Sequence, residues 1–197
     1  MTDAVPDDRH GRRVDVTDLR QRTVGGRTAG DDGGPGPHWS RRPLVAWVLL
    51  GVGLGGFVDG IVLHQILQWH HMLTSTGDHP ADTVAGLEAN TLADGLFHAA
   101  TWVLVVAGLV VLRRAWASGN PAPTVRAQVG GLLAGWGAFN LVEGLVDHHL
   151  LGVHDVRDDV ADPLWWNLGF LALGAALVVA GVVLVRGGRR APGPTGR

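Results

Sequence analysis

Four apolar runs, each about as long as a bilayer is thick, limit what this chain can fold into. They cover Pro43 to about Trp69, about Thr91 to Leu112, about Ala127 to Leu151, and Leu164 to Val185. Crossing ~30 Å of hydrocarbon takes ~20 residues. Within it, every backbone N–H and C=O must be satisfied inside its own segment, so an open chain crosses as helices. The expected fold is all-α: an integral membrane four-helix bundle over residues 43–186, with helices about 43–69, 91–112, 127–151 and 164–185.

Residues 1–42 hold eight arginines, seven aspartates and almost no large apolar side chain. They cannot bury enough surface to offset ordering and are expected to form a disordered cytoplasmic tail. The first apolar run starts too late and runs too long for a secretory signal. Of the 16 basic residues, all arginine, only Arg157 falls in the segments 70–90 and 152–163. The positive-inside rule then places both termini, including the tail 187–197, in the cytoplasm of a multi-pass plasma-membrane protein. Trp69, Trp165 and Trp166 fall where an outer aromatic belt would lie.

Composition narrows the chemistry. Cysteine is absent, which removes disulfides, thiolate metal sites and cysteine nucleophiles. Tyrosine is absent and methionine occurs twice, which removes tyrosyl radicals and a thioether Cu(I) site. A net charge of −2 gives no sign of a nucleic-acid partner.

The spans nonetheless carry ionisable groups. A carboxylate or imidazole in hydrocarbon costs several kcal/mol unless paired, hydrated or ligated, so each one is a functional candidate. The stretch GLGGFVDGIVLHQILQWHHM (53–72) holds Asp59, His64, His70 and His71. Aligning Asp59 with Glu143 lays DGIVLHQILQWHH (59–71) over EGLVDHHLLGVHD (143–155), which pairs Gly60 with Gly144, His64 with His148 and His70 with His154. The second and fourth runs share LVVAG, and there Asp94 and His98 align with Asn167 and Leu171. This pattern predicts a duplicated two-helix hairpin, its halves related by a pseudo-two-fold axis along the membrane normal.

Depth brings these groups to one level. Asp59 stands 17 residues from Arg42 and Glu143 stands 17 from Arg126, ~25 Å up a helix. His98 stands 15 residues from Arg113, ~22 Å up. Asp94 and His98, four apart, share one side of a helix. A five-residue α-helical step such as Asp59–His64 turns ~140°, which would keep the two off one narrow face.

The candidate metal ligands are therefore His64, His98, His148, Asp59, Asp94 and Glu143, with His70, His71, His149 and His154 at the outer rim. The carboxylates could ligate directly or orient a histidine's second ring nitrogen. His10, His38 and His79 look incidental. Imidazole and carboxylate donors without sulfur suit hard-to-borderline ions such as copper, iron or zinc. Haem between His64 and His148 is a further option. The leading reading is an outward-facing metal centre used in redox chemistry or in metal delivery. A metal-free proton relay or pH-responsive subunit, and a purely structural subunit, are the alternatives. Membrane lipid is the one partner the composition requires.

The string GFVDGIVLHQILQWHHML (56–73) resembles the signature of a family of bacterial predicted membrane proteins classed as a domain of unknown function. The likeness extends to DGLFH (94–98) and FNLVEGLVDHHLLGVHDVR (139–157), and so to most of the four-helix region. The resemblance implies a four-helix integral membrane protein. Some relatives are encoded near respiratory-oxidase assembly factors. The resemblance therefore implies copper or haem handling, with copper ahead of iron or zinc, and a respiratory complex or assembly protein as the partner for redox chemistry or metal delivery. The Asp94-x3-His98 step is also similar to part of the intramembrane copper motif of particulate methane monooxygenase, without that motif's further histidine.

Overall fold

The computed structural model describes residues 41–189. Residues 1–40 of the segment read as disordered and residues 190–197 of the C-terminal tail lie outside the described residues, as do His10 and His38. The described chain is helical, without strands. Helix α1 spans Arg41–Val58 and continues as a π-helix, π1, over Asp59–Ile66. After a loop with a 3-10 turn at Thr74–Thr76 comes α2, Val84–Ala117. Helix α3, Val125–Glu143, continues as π2, Gly144–Leu151, and α4 spans Leu164–Arg189.

All four helical stretches are long and apolar enough to cross a membrane. Two run further than expected. Helix α2 starts at Val84 rather than near Thr91 because Thr83 caps it, its hydroxyl accepting from the Gly86 N–H at 3.1 Å. Helix α4 continues past Val185 to Arg189.

Burial is inverted relative to a water-soluble bundle. The buried apolar side chains are few, centred on Ala46, Leu50 and Leu112. Asp59, His64, His70, Asn90, Asp94, Asn140, Glu143, His148, His154 and Asn167 are all buried. Leu92, Leu96, Trp102, Val179 and Val183 face outward. Such a surface is stable only against an apolar solvent, where close packing rather than hydrophobic expulsion drives association.

Packing follows glycine. Helices α1 and α3 lie against each other, with α2 packed on α1 and α4 on α3. A β-carbon at Gly135 would overlap the Val48 carbonyl of α1, and one at Gly51 the Leu132 carbonyl of α3. Gly137 and Gly174 make the equivalent approach between α3 and α4. These crossings fix the two π-helices side by side at the histidine-rich end.

Candidate metal centre

Each acid of the aligned pair stands where α-helix gives way to π-helix: Asp59 opens π1, and Glu143 is the last residue before π2. The i→i+5 bonding of a π-helix winds wider than an α-helix and stacks residues five apart. Asp59 and His64, placed on different faces by α-helical counting, are thereby brought together, with His64 Nε2 3.1 Å from Asp59 Oδ2. The glycine after each acid admits a neighbouring helix. A β-carbon at Gly60 would come within 2.6 Å of His98 Nε2, and one at Gly144 within 2.8 Å of Leu171 Cδ2.

Both π-helices close in the same way. Gln68 (φ 52°) and Gly152 (φ 59°) take left-handed conformations. Beyond them the Trp69 N–H donates to the Leu63 carbonyl and the Val153 N–H to the Asp147 carbonyl, each at 3.0 Å. The reversal turns His70 and His154 inward. His70 donates through Nδ1 to the Val156 carbonyl at 2.8 Å, and His154 through Nδ1 to the Met72 carbonyl at 3.3 Å. Each loop thus orients its histidine on the other loop's backbone.

Six donor residues converge in three overlapping sets. His64, His70 and His154 each offer one ligand atom within 4.8 Å of the others, as do Glu143, His148 and His154, and Asp59, His64 and Glu143. Nine of their buried polar atoms have no hydrogen-bond partner: both oxygens of Asp59 and of Glu143, both ring nitrogens of His148, and Nε2 of His64, His70 and His154. The close approach of His64 to Asp59 therefore lacks hydrogen-bond alignment. An unmet buried polar atom costs about 1–3 kcal/mol.

The ring nitrogens that are bonded fix the rest. His64 Nδ1 lies 2.9 Å from Asp94 Oδ1 and His71 Nδ1 lies 2.9 Å from Asp94 Oδ2. Asp94 Oδ1 also accepts the Met72 N–H at 2.9 Å. With Nδ1 donating to a carbonyl, Nε2 of His70 and of His154 carries the lone pair of the neutral ring and faces the cluster. Burial, followed by the neighbouring His154, pushes the His70 pKa down to about 3, and burial with the nearby His64 lowers that of His154. Both rings are neutral at pH 7, the form that ligates a metal.

Of the sequence candidates, the structure brings together Asp59, His64, Glu143 and His148. Asp94 stands behind His64 as an acceptor, not beside the donors. His70 and His154, assigned to the rim, lie inside the cluster, with 2 % and 0 % of their surface exposed. His98 stands apart because its Nδ1 bonds the Asp94 carbonyl one turn back at 2.7 Å and its ring packs between Phe57 and Phe97. His149 is exposed and its Nδ1 bonds the Gly144 carbonyl at 2.7 Å. His71 touches only Asp94 and the adjoining loop. Asn167, read as a lost carboxylate, accepts the Val156 N–H at 2.9 Å and donates to Asp155 at 2.6 Å. It holds the carbonyl that orients His70, a role visible only once the loop is folded. Above it, the Arg157 guanidinium lies 5.0 Å and 4.9 Å from the Trp69 and Trp166 ring centres.

Fold and centre together define a four-helix membrane protein whose interior polar groups are gathered into an imidazole–carboxylate cluster at one end of the bundle. The chain belongs to the family described as predicted membrane protein (DUF2243), whose model matches residues 46–188. No curated protein and no solved structure matches the chain.

Proposed function

We propose that the protein holds a divalent transition metal at Asp59, His64, His70, Glu143, His148 and His154, as a resident centre for chemistry within the membrane. The observation that carries this reading is the convergence of six donor residues, from the end of α3, both π-helices and their loops, in three overlapping sets of mutually close ligand atoms, each residue with a buried polar atom left unpartnered. Four imidazoles and two carboxylates select a borderline ion such as copper, iron or zinc over magnesium or calcium. The two buried acids bring two negative charges, which one divalent cation balances. Asp94, bonded to His64 Nδ1, matches the outer carboxylate that fixes tautomer and raises ligand basicity in many metal sites.

Burial favours an ion that stays over one that is handed on, since release would require both capping loops to part. Arginine placement supports an extracytoplasmic position for this end of the bundle. Copper, in a redox role alongside respiratory partners, is the first ion to test. The matching residues of the two halves, down to their π-helices and crossed histidine–carbonyl bonds, support descent from a duplicated hairpin.

The test is elemental analysis of the full-length protein purified in detergent without chelators, beside His154→Ala. The reading predicts at least one copper, iron or zinc per chain in the wild type and none in the variant, with both melting cooperatively by circular dichroism. Metal-free wild type that also fails to take up any of the three ions on reconstitution would overturn it. If His154→Ala does not fold, His70→Gln, which keeps size and polarity, takes its place.

A further inference from the structure

The donors of the centre are spread too widely for one ion. Nitrogen and oxygen ligands stand about 2.1 Å from a first-row ion, so all the ligands of a single ion lie within about 4.2 Å of one another. Here the donors meet only in threes. His64 joins His70 and His154, Glu143 joins His148 and His154, and Asp59 joins His64 and Glu143, each trio within 4.8 Å. Among the described residues no four donors share a set, and His148 shares none with Asp59, His64 or His70.

Ring orientation divides them in the same way. His70 and His154 are stacked, with planes 3° apart and ring centres 4.6 Å apart. An imidazole lone pair lies in the plane of its ring. Two parallel planes set apart share no point, so one ion cannot take both rings, and the trio that contains them is not one ion's. The other two trios have Glu143 alone in common. A carboxylate offers two oxygens and can serve two ions, and both oxygens of Glu143 are buried and unpartnered. His70 stands against His64, their ring centres 4.3 Å apart, on the side of the first trio.

We propose that the centre is dinuclear: one transition-metal ion at Asp59 and His64 with His70 beside them, a second at His148 and His154, and Glu143 bridging the two. The proposal rests on the metal reading above and adds the number of ions and their places. Each half of the chain supplies the histidines of one ion, at aligned positions. Asp94 adds a third buried carboxylate behind His64, so Asp59, Glu143 and Asp94 together offset most of the charge that two divalent ions bring. Ions in two-metal sites stand about 3.5–4 Å apart, close enough for paramagnetic ions to couple.

His148 separates the two ions. It belongs to one trio and neither of its ring nitrogens is bonded, so His148→Gln acts on the second ion alone. His154 does not separate them, because its Nδ1 also holds the first loop at the Met72 carbonyl, and its loss costs both ions. The full-length protein in detergent is stripped with a chelator and loaded separately with copper(II), iron(II) or zinc sulfate. Excess salt is washed away, bound ions per chain are counted, and the copper-loaded samples are read by electron paramagnetic resonance. The expected result is two ions per chain in the wild type, one in His148→Gln and none in Glu143→Gln. The wild-type copper pair is spin-coupled, seen as a half-field line or as fewer unpaired spins than copper atoms, whereas His148→Gln gives the spectrum of an isolated ion. One ion per wild-type chain overturns the pair and leaves the metal reading standing. No ion retained from any of the three salts overturns both. Two ions that persist in Glu143→Gln, or two wild-type copper ions without coupling, overturn the shared bridge. If His148→Gln does not melt cooperatively by circular dichroism, the wild-type ion count and coupling decide alone.

Discussion

The two halves of the centre do the same backbone work but differ in one charge. In the first half Asp94 accepts the Met72 N–H and also the Nδ1 protons of His64 and His71. In the second, Asn167 accepts the Val156 N–H, the residue aligned with Met72, and gives its amide to Asp155. No acceptor meets His148, whose two ring nitrogens are both unpartnered. The task common to both halves is holding a loop over the cluster. Orienting a histidine by a carboxylate occurs in one half alone. His64 is therefore held through Nδ1 on Asp94, while neither ring nitrogen of His148 is held.

Removing a donor shared between sets breaks the comparison most severely. Glu143 and His154 belong to the sets that join the two halves, so Glu143→Gln abolishes stoichiometric metal, read by elemental analysis of protein whose helical content is unchanged. Asp94→Asn makes the first half resemble the second. The amide oxygen still accepts from Met72, so the loop holds, but the charge on His64 is lost and metal affinity falls about 10–100-fold in a chelator competition.

The reverse change acts on stability. Asn167→Asp removes the donor to Asp155 and sets two carboxylates face to face, which lowers stability by about 1–3 kcal/mol, read as a lower melting temperature in detergent. Gln68 and Gly152 give a finer comparison at the aligned ends of π1 and π2. A left-handed conformation costs a non-glycine residue roughly 1–2 kcal/mol, and glycine returns part of that as chain entropy. Gln68→Gly therefore raises stability by up to about 1 kcal/mol. His98→Ala has the smallest effect, leaving metal content at the wild-type value, because its ring bonds its own helix.

Much of this was legible in the residues. Hydrocarbon length and backbone satisfaction give the four spans, and the acid-x4-His step, found twice, gives the register in which Asp59, His64, Glu143 and His148 meet. The route by which they meet was hidden. Counting at the α-helical pitch put Asp59 and His64 on different faces, whereas the chain changes pitch where the acids stand. The repeated five-residue step was itself the signal for a π-helix. His70 and His154 were placed at the rim because they follow the ends of their apolar spans, whereas the left-handed residues Gln68 and Gly152 reverse the chain and turn both rings inward. Asp94-x3-His98 has a spacing suited to two ligands, but an imidazole four residues on can also bond the carbonyl one turn back, and packing against Phe57 and Phe97 selects that state.

The most direct measurement is the X-ray absorption spectrum of the metal-loaded wild type in detergent. The account predicts nitrogen and oxygen neighbours at about 2.0–2.1 Å, with the outer-shell scattering of several imidazoles. A metal surrounded by oxygen alone, with no imidazole signal, would contradict it.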